Sequence, residues 1–440
     1  MKKRILLAVS LLMTMLLLCS CAFIPVSRLD ALYRPRENAV ITSGDEPIAE
    51  PVEETADTVV ISREEYEKYR RFSEVYDLFD MANQSFYKET DQDRMIEYAA
   101  RGVLAGLDDP YTFYYSPKEF EEMWKDDEGN YVGIGVLISS NMSTQICTIS
   151  RVFEGSPAQE AGVQRGDILY KVGEDLFVTA SNLQEAVDIM RGIPGTDVDV
   201  TFIRNGEEIT FTITRKEINV NQIESKMIDS DIGYIALYEF AGNCQKEFET
   251  ALNQLISQGA KGIIMDLRDN PGGWVDQAQY IADLFMDEGE LCYLVYRDGL
   301  EHHEDYRTKD GKVDVKLTIL INENSASSSE ILTGALRDCA GAATVGVKSF
   351  GKGIIQGVYP IGDKGAGYQM TIAQYFTPSG QAVHQEGITP EYIVELPEGD
   401  NGMYEFGDTE NDVQLKKAVE VTKEKLQEDT REQIKENTGE

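Results

Sequence analysis

"VKLTILINENSASSSEILTGALRDC", Val315–Cys339, begins as an apolar strand, passes through a polar turn and ends as a helix with apolar residues at helical spacing. The alternation continues outward. Upstream lie the strand "IGYIALYEF", a helix around Lys246–Ile256, the buried strand "GIIMDL" and a helix around Val275–Phe285. Strands and helices in this rhythm argue for βαβ units on a largely parallel sheet over about Ile218–Val394. Ligand sites in such sheets lie at the carboxyl ends of strands, where the serines of the quoted stretch fall.

Between about Tyr131 and Arg215 the pattern changes to short strands with two helices. "GSPAQEAG" predicts a helix with Ser156 as cap, Pro157 at its first position and Gly162 past its end, and "NLQEAVDIMRG" a second helix closed by Gly192. Asn205-Gly206 between "DVDVTFI" and "EEITFTI" predicts a hairpin. Further upstream three helices are expected. Ser62 and Glu65 form a capping box ahead of the stripe Tyr66, Tyr69, Phe72, Val75, Tyr76 and Phe79, which reads as a packing surface. A second helix starts near Asp91 and a third at Ser116-Pro117, so this region reads as a small helical unit and a candidate dimerisation element. The stretch after about Glu398 is acidic, with one amphipathic helix near Val413–Leu426, and is expected to be peripheral.

The bulk numbers set limits. At 440 residues the chain exceeds what one core organises. A net charge of −36 repels nucleic acid phosphates and anionic head groups, so neither is an electrostatic partner and any membrane attachment has to be hydrophobic. Lys2, Lys3 and Arg4 ahead of the apolar run Ile5–Leu18 match a secretory leader. Its end, Leu18-Cys19-Ser20-Cys21, resembles a bacterial lipoprotein cleavage box with Cys21 as the lipidated residue, and an uncleaved span is the other reading. Either places the rest outside the cytoplasm. From about Ala31 to Thr58 an acidic spacer follows. Cys147, Cys244, Cys292 and Cys339 are widely spaced, which argues against a metal cage and for buried thiols, with room for one disulfide.

Three constellations carry chemistry. In "YVGIGVLI", Gly133 and Gly135 let consecutive N–H groups converge on a carboxylate while the next strand offers an edge to a peptide; a simple tight turn would look similar. In "DLRDNPGGWV", Gly272 and Gly273 allow N–H groups to face developing negative charge at a helix start, though a plain strand-to-helix turn would share the pattern. The third joins the serines to "SFGKGIIQ". With only His302, His303 and His384 in the chain, and the first two in an acidic, polar stretch read as a loop, a Ser-His-Asp triad and zinc catalysis are both disfavoured. Lysine can replace histidine if burial depresses its pKa enough for a neutral amine to accept the hydroxyl proton. Lys352, between Gly351 and Gly353 and beside Phe350 and Ile354, suits that role, and the Gln356 amide could orient it without adding charge. Gly346, Gly351 and Lys352 also satisfy a phosphate-loop spacing, but Gly353 stands where magnesium needs Ser or Thr and a strand pattern follows instead of a helix.

Together "DLRDNPGG", "NSASSSEILTGALRD" and "SFGKGIIQ", with "YVGIGV" before and "GITPEYIVE" after, resemble the carboxyl-terminal processing proteases, tail-specific serine peptidases, over about residues 62–396. The segment 129–217 resembles a PDZ domain, with Gly133, Ile134, Gly135, Val136 and Leu137 as the peptide-binding loop and edge and "NLQEAVDIM" as the facing wall. The resemblance implies a multidomain α/β chain: leader 1–21, acidic linker 22–61, N-terminal helical unit 62–128, PDZ-like domain 129–217, a ClpP/crotonase-like βαβ protease core 218–398 and an acidic tail 399–440. It implies Ser327 as nucleophile, Lys352 as base, Gln356 as its orienting amide, and an oxyanion hole from Gly272, Gly273 and the N–H of Ser328, with no cofactor or metal. The "ASSSE" run departs from the more usual "ASASE" at Ser328, where the added hydroxyl can alter local hydrogen bonding. Ser327 with Glu330 also reads as a helix capping box, so a nucleophilic Ser327 requires capping to fall to Ser325 or to be shared through Glu330. The function implied is an endopeptidase that captures unstructured C-terminal tails of proteins. The leader makes it membrane-tethered and extracytoplasmic, the charge argues against nucleic acid, and the N-terminal helices offer a homodimer contact. With the binding loop and the nucleophile in different domains, motion of the PDZ-like unit is the expected gate. The competing class is a catalytically inactive PDZ adaptor lipoprotein, against which the intact trio Ser327, Lys352 and Gln356 counts.

Overall fold

The computed structural model describes residues 61–127, 130–141, 144–153, 155–309, 311–397, 402, 404 and 406–438. The leader, Cys21 and the spacer up to residue 60 lie outside them. The chain divides into two compact units, Met1–Ser85 and Phe86–Glu440.

In the first unit Ser62 and Glu65 close both halves of the expected capping box, at 3.1 and 2.9 Å. The helix breaks after Arg70 and restarts as Ser73–Ser85. Neither piece buries a residue, and Tyr69, Phe72, Val75 and Tyr76 are exposed. The stripe expected to pack is therefore an open apolar face within its own unit.

The second unit is organised by a parallel sheet. Its strands run in the order Ile223–Met227, Ile232–Leu237, Gly262–Asp266, Lys316–Ile321, Ala343–Gly346, Tyr392–Ile393, antiparallel only at the first pairing. Side chains alternate across it with the strand period of two. Ile235, Leu237, Ile263, Met265, Ile319 and Ile321 face one core with Phe248, Leu252 and Leu332 from the helices. Tyr234, Ala236, Ile264 and Leu320 face a second core with Leu415, Ala418 and Val421. Those last residues belong to the helix Val413–Thr438, so the acidic tail is not peripheral: its apolar stripe covers the sheet's other face. A buried cluster fastens it there. The Arg268 guanidinium pairs with Asp266 and Asp412, both at 2.7 Å, and the Tyr234 hydroxyl donates to Asp266 at 2.6 Å.

An antiparallel sheet stands beside the first. Strand Ala366–Phe376 pairs with Ile354–Ile361 and Gly289–Tyr296, and the latter pairs with Glu301–Thr308. His302 and His303 sit on this last strand rather than in a loop, and His303 is held by Glu290 and Glu301. The short strand Phe113–Tyr115 adds to the edge of Ala366–Phe376. With it come the helices Gln92–Ala105 and Pro117–Asp127, tied by Arg101 to Glu97, Glu119 and the Tyr114 carbonyl. Trp124 stacks on Trp274, ring centroids 5.6 Å apart. The helical unit expected at 62–128 is thus divided, its later helices packing with the core through the pairing of Phe113–Tyr115, the Trp124–Trp274 stack and the Tyr115 hydroxyl on Gln369.

The PDZ-like sheet joins strands Val136–Asn141, Ile146–Val152, Ile168–Val172, Asp197–Arg204 and Glu207–Thr214 around its own core of Ile149, Leu169, Val200 and Phe202. Asn205 and Gly206, at φ 54° and 83°, make the expected hairpin turn, and Gly162 closes the helix Pro157–Ala161 at φ 93°. The four described cysteines are free; three are buried as expected and Cys339 is exposed. Among the described residues no helix is long and apolar enough to cross a membrane.

Candidate active site

The serine run resolves by hydrogen bonding. Ser325 is buried and its hydroxyl donates to the Leu267 carbonyl at 2.7 Å; buried Ser328 donates to the Gly273 carbonyl at 2.7 Å and buried Ser329 to the Asn270 carbonyl at 3.0 Å. Ser327 alone is partly exposed and its hydroxyl donates to no acceptor among the described residues. Its backbone is held at φ 55°, ψ −117°, a conformation that costs a non-glycine residue on the order of 1–3 kcal/mol and persists only where its surroundings impose it. Ser327 and Glu330 have capping-box geometry, and the carboxylate accepts the Ser327 N–H at 3.0 Å. The Glu330 N–H, however, runs to the Ser327 carbonyl at 2.8 Å, and the hydroxyl receives no capping bond. Capping falls to Glu330, not to Ser325.

Glu330 does more than cap. Nearly fully buried, it also accepts from Ser349 Oγ at 2.6 Å, Gly351 N at 2.7 Å and Lys352 N at 2.9 Å. One carboxylate therefore fixes the backbone of both Ser327 and Lys352. Burial pushes its carboxyl pKa up, opposed by these hydrogen bonds. Burial likewise holds the Lys352 amine below the ordinary lysine range, against the pull of Asp109 and Glu330. In this structure the Lys352 Nζ lies 4.6 Å from the centroid of the Tyr111 ring. Gln356 Nε2 donates to Thr371 Oγ1 at 3.3 Å instead of holding the amine.

Gly272 and Gly273 are required here. Gly272 has φ 107°, and a Cβ on it would meet Ser327 Cβ at 2.7 Å; Gly273 has φ 129°, and a Cβ on it would meet the Phe240 carbonyl oxygen at 2.2 Å. The turn is thus pressed against the start of the serine helix. The Gly272 N–H, one of the three donors expected of an oxyanion hole with Gly273 and Ser328, is engaged by Asn270 Oδ1 at 2.8 Å. The Ser328 hydroxyl, the departure noted in the sequence, staples the Gly273 carbonyl to the helix start.

Ser327, Lys352, Gln356 and Gly273 line one cavity of about 970 Å³ together with Gly133, Ile134, Gly135, Val136 and Leu137. Leu183, Val187 and Met190, from the helix Leu183–Met190, line it too. None of the three histidines lines it.

The PDZ domain family model matches residues 132–214, that of peptidase family S41 residues 231–394, and one described as the activating protease CtpB N-terminal domain residues 41–118. The carboxyl-terminal-processing protease of Synechocystis sp. is 37% identical over 306 residues, 68% of this chain and 71% of that protein. The chain belongs to peptidase family S41, among the carboxyl-terminal processing proteases. A second relative of the protease, the carboxy-terminal processing protease CtpA of Bacillus subtilis, is 31% identical over 78% of this chain and 75% of its own. The solved photosystem II D1 C-terminal processing protease superposes with a TM-score of 0.54 at 25% identity, covering 76% of this chain and 94% of that one.

Sequence reading of the protease missed several site residues. Asn270, in the "DNPGG" stretch, orders the glycine turn through Gly272 N and the Leu237 carbonyl. Arg151 lines the groove with its guanidinium 3.5 Å from the Tyr238 ring centroid; Nη2 bonds Asn221 O and Glu224, whereas Nε and Nη1 are buried without a partner. Nothing in "TISRVFEG" separates that arginine from a solvated one. Asp109 and Tyr111 arrive from a segment distant in sequence, and only the folded chain brings them to Lys352.

Proposed function

We propose that the protease cuts unstructured protein tails through an acyl-enzyme on Ser327 with Lys352 as the base. The observation that carries this is Ser327 itself: strained, partly exposed, its hydroxyl without an acceptor, in one cavity with a lysine whose ammonium form burial disfavours. In the reaction neutral Lys352 takes the hydroxyl proton, Oγ bonds the scissile carbonyl carbon, and the oxyanion is met by the N–H groups of Gly273 and Ser328. The ammonium returns its proton to the leaving amine as the C–N bond breaks. Water, deprotonated by the same amine, then releases the acyl group. Lys352 has to leave the Tyr111 ring to do this, a tightening of catalytic contacts that ligand-free enzymes commonly require.

The groove at Gly133–Leu137 supports tail capture, with the edge of Val136–Asn141 for strand addition and the Arg151 guanidinium, which lines the same cavity, as the charge complement of a carboxylate. Tethering at the outer face of a bacterial membrane, through Cys21 or an uncleaved leader, and a homodimer through the open apolar face of Arg63–Ser85 complete the reading. The test is cleavage of an unfolded protein with a free or an amidated C-terminus. Wild type cleaves the free form, Ser327→Ala cleaves neither, and amidation or Arg151→Ala lowers kcat/KM about tenfold, the worth of one charge-assisted contact. Equal cleavage by Ser327→Ala contradicts the proposal.

A further inference from the structure

The segment Asp108–Thr112 has no part in the chemistry above, yet it is built against the base. Asp108 turns the chain at φ 52°. The Asp109 carboxylate then accepts from Tyr111 N at 3.1 Å and Thr112 Oγ1 at 2.6 Å. Strand Ala366–Phe376 clamps the turn: Thr371 N donates to Thr112 Oγ1 at 3.0 Å and Gln369 Nε2 to the Tyr111 carbonyl at 3.2 Å. Thr371 Oγ1, in turn, holds the Gln356 amide. The segment is thus tied to that strand, and it presents a ring face to Lys352, with the Asp109 charge acting on the same amine from further off.

We propose that Asp109–Thr112 is a positioning element for the base: the Tyr111 ring and the Asp109 carboxylate store Lys352 as an ammonium away from Ser327. An aromatic face and a nearby carboxylate both favour the charged amine. The groups facing that amine are Asp109 and Tyr111 from this segment and Glu330 from the serine helix. Glu330 is committed to four hydrogen bonds that hold the backbone of Ser327 and Lys352, whereas Asp109 accepts from Tyr111 and Thr112 in its own turn, so Asp109 is the carboxylate whose charge can be removed without unmaking the site. The inference rests on Lys352 being the base. It adds that the pH at which Lys352 becomes active is tuned by residues outside the lining of the cavity.

The sign follows from the neutral amine being the active form. Removing the Asp109 charge or the Tyr111 ring lowers the amine's pKa and moves the acid limb of kcat/KM to lower pH. Asp109→Asn is expected to shift that limb by about 0.5–1 pH unit; one unit below the wild-type midpoint, kcat/KM relative to its own plateau then rises about three- to fivefold. Tyr111→Leu shifts the limb in the same direction, and Tyr111→Phe, which keeps the ring, does not. Lys352 is also titrated directly in the Ser327→Ala background by the NMR shift of 13Cε-labelled lysine, its signal assigned by loss in Lys352→Arg. The midpoint falls with Asp109→Asn by the same amount. If neither limb nor midpoint moves in Asp109→Asn or Tyr111→Leu, the inference is overturned. Undiminished cleavage by Ser327→Ala would instead sink the acyl-enzyme reading, and the titration would still judge the storage site.

Discussion

Lys352→Met lowers kcat/KM by about 10²–10⁴-fold, the usual worth of a general base, and leaves the urea midpoint no lower than wild type. Stability is spared because the contact that fixes this residue is its backbone N–H to Glu330 at 2.9 Å, which methionine keeps, and a thioether fills the half-buried path of the stem. Only the titrating amine is lost. Lys352→Arg fails as well, since guanidinium stays charged. On the proposed mechanism the base is inactive when protonated, so activity is expected to rise with pH through the Lys352 pKa, which burial holds below the ordinary lysine value. Steady-state rates between about pH 5 and 10, in a buffer of constant ionic strength, show whether the rising limb disappears in Lys352→Met. A surviving limb with the wild-type midpoint would assign the proton to another group.

Asp412→Ala is the largest expected loss of stability, about 3–5 kcal/mol, read as a drop in the urea midpoint. Arg268 is 13% exposed in its side chain and Asp412 3%, so solvent cannot replace the lost partner. Deleting one carboxylate leaves part of a buried guanidinium uncompensated, and it releases the start of Val413–Thr438, where Asp412 also accepts from the N–H groups of Gln414 and Leu415. Leu415, Ala418 and Val421 would then lose their hold on the second face of the sheet. A midpoint unchanged within error would return that helix to the peripheral role its composition suggests.

The parallel sheet was legible in the sequence because its inner strands Ile232–Leu237, Gly262–Asp266 and Lys316–Ile321 are mostly apolar and its helices have a regular period, and the hairpin at Asn205-Gly206 because its turn demands those residues. The antiparallel sheet was legible only in fragments. Polar strands such as Glu301–Thr308 look like loops until a partner strand supplies their hydrogen bonds. The docking of Val413–Thr438 was hidden for a similar reason: a few apolar residues in an acidic helix suffice once Arg268 and a threonine pair, Thr318 with Thr422, meet it. At the site, Ser327, Lys352 and the glycine turn stand in local motifs, and the fold brings them to one cavity. Glu330 could be read only as a cap, since its contacts with Ser349, Gly351 and Lys352 are long-range. Asp109, Tyr111 and Arg151 carried no local signal at all, for their significance lies in what approaches them.

The most direct measurement is peptide mapping by mass spectrometry after treating the folded protein with a serine-directed phosphonofluoridate. The account predicts one adduct, on Ser327, absent after denaturation and strongly slowed in Lys352→Met, with Ser325, Ser328 and Ser329 unmodified. An adduct on one of those three, or labelling of Ser327 at the same rate without the lysine, would contradict it.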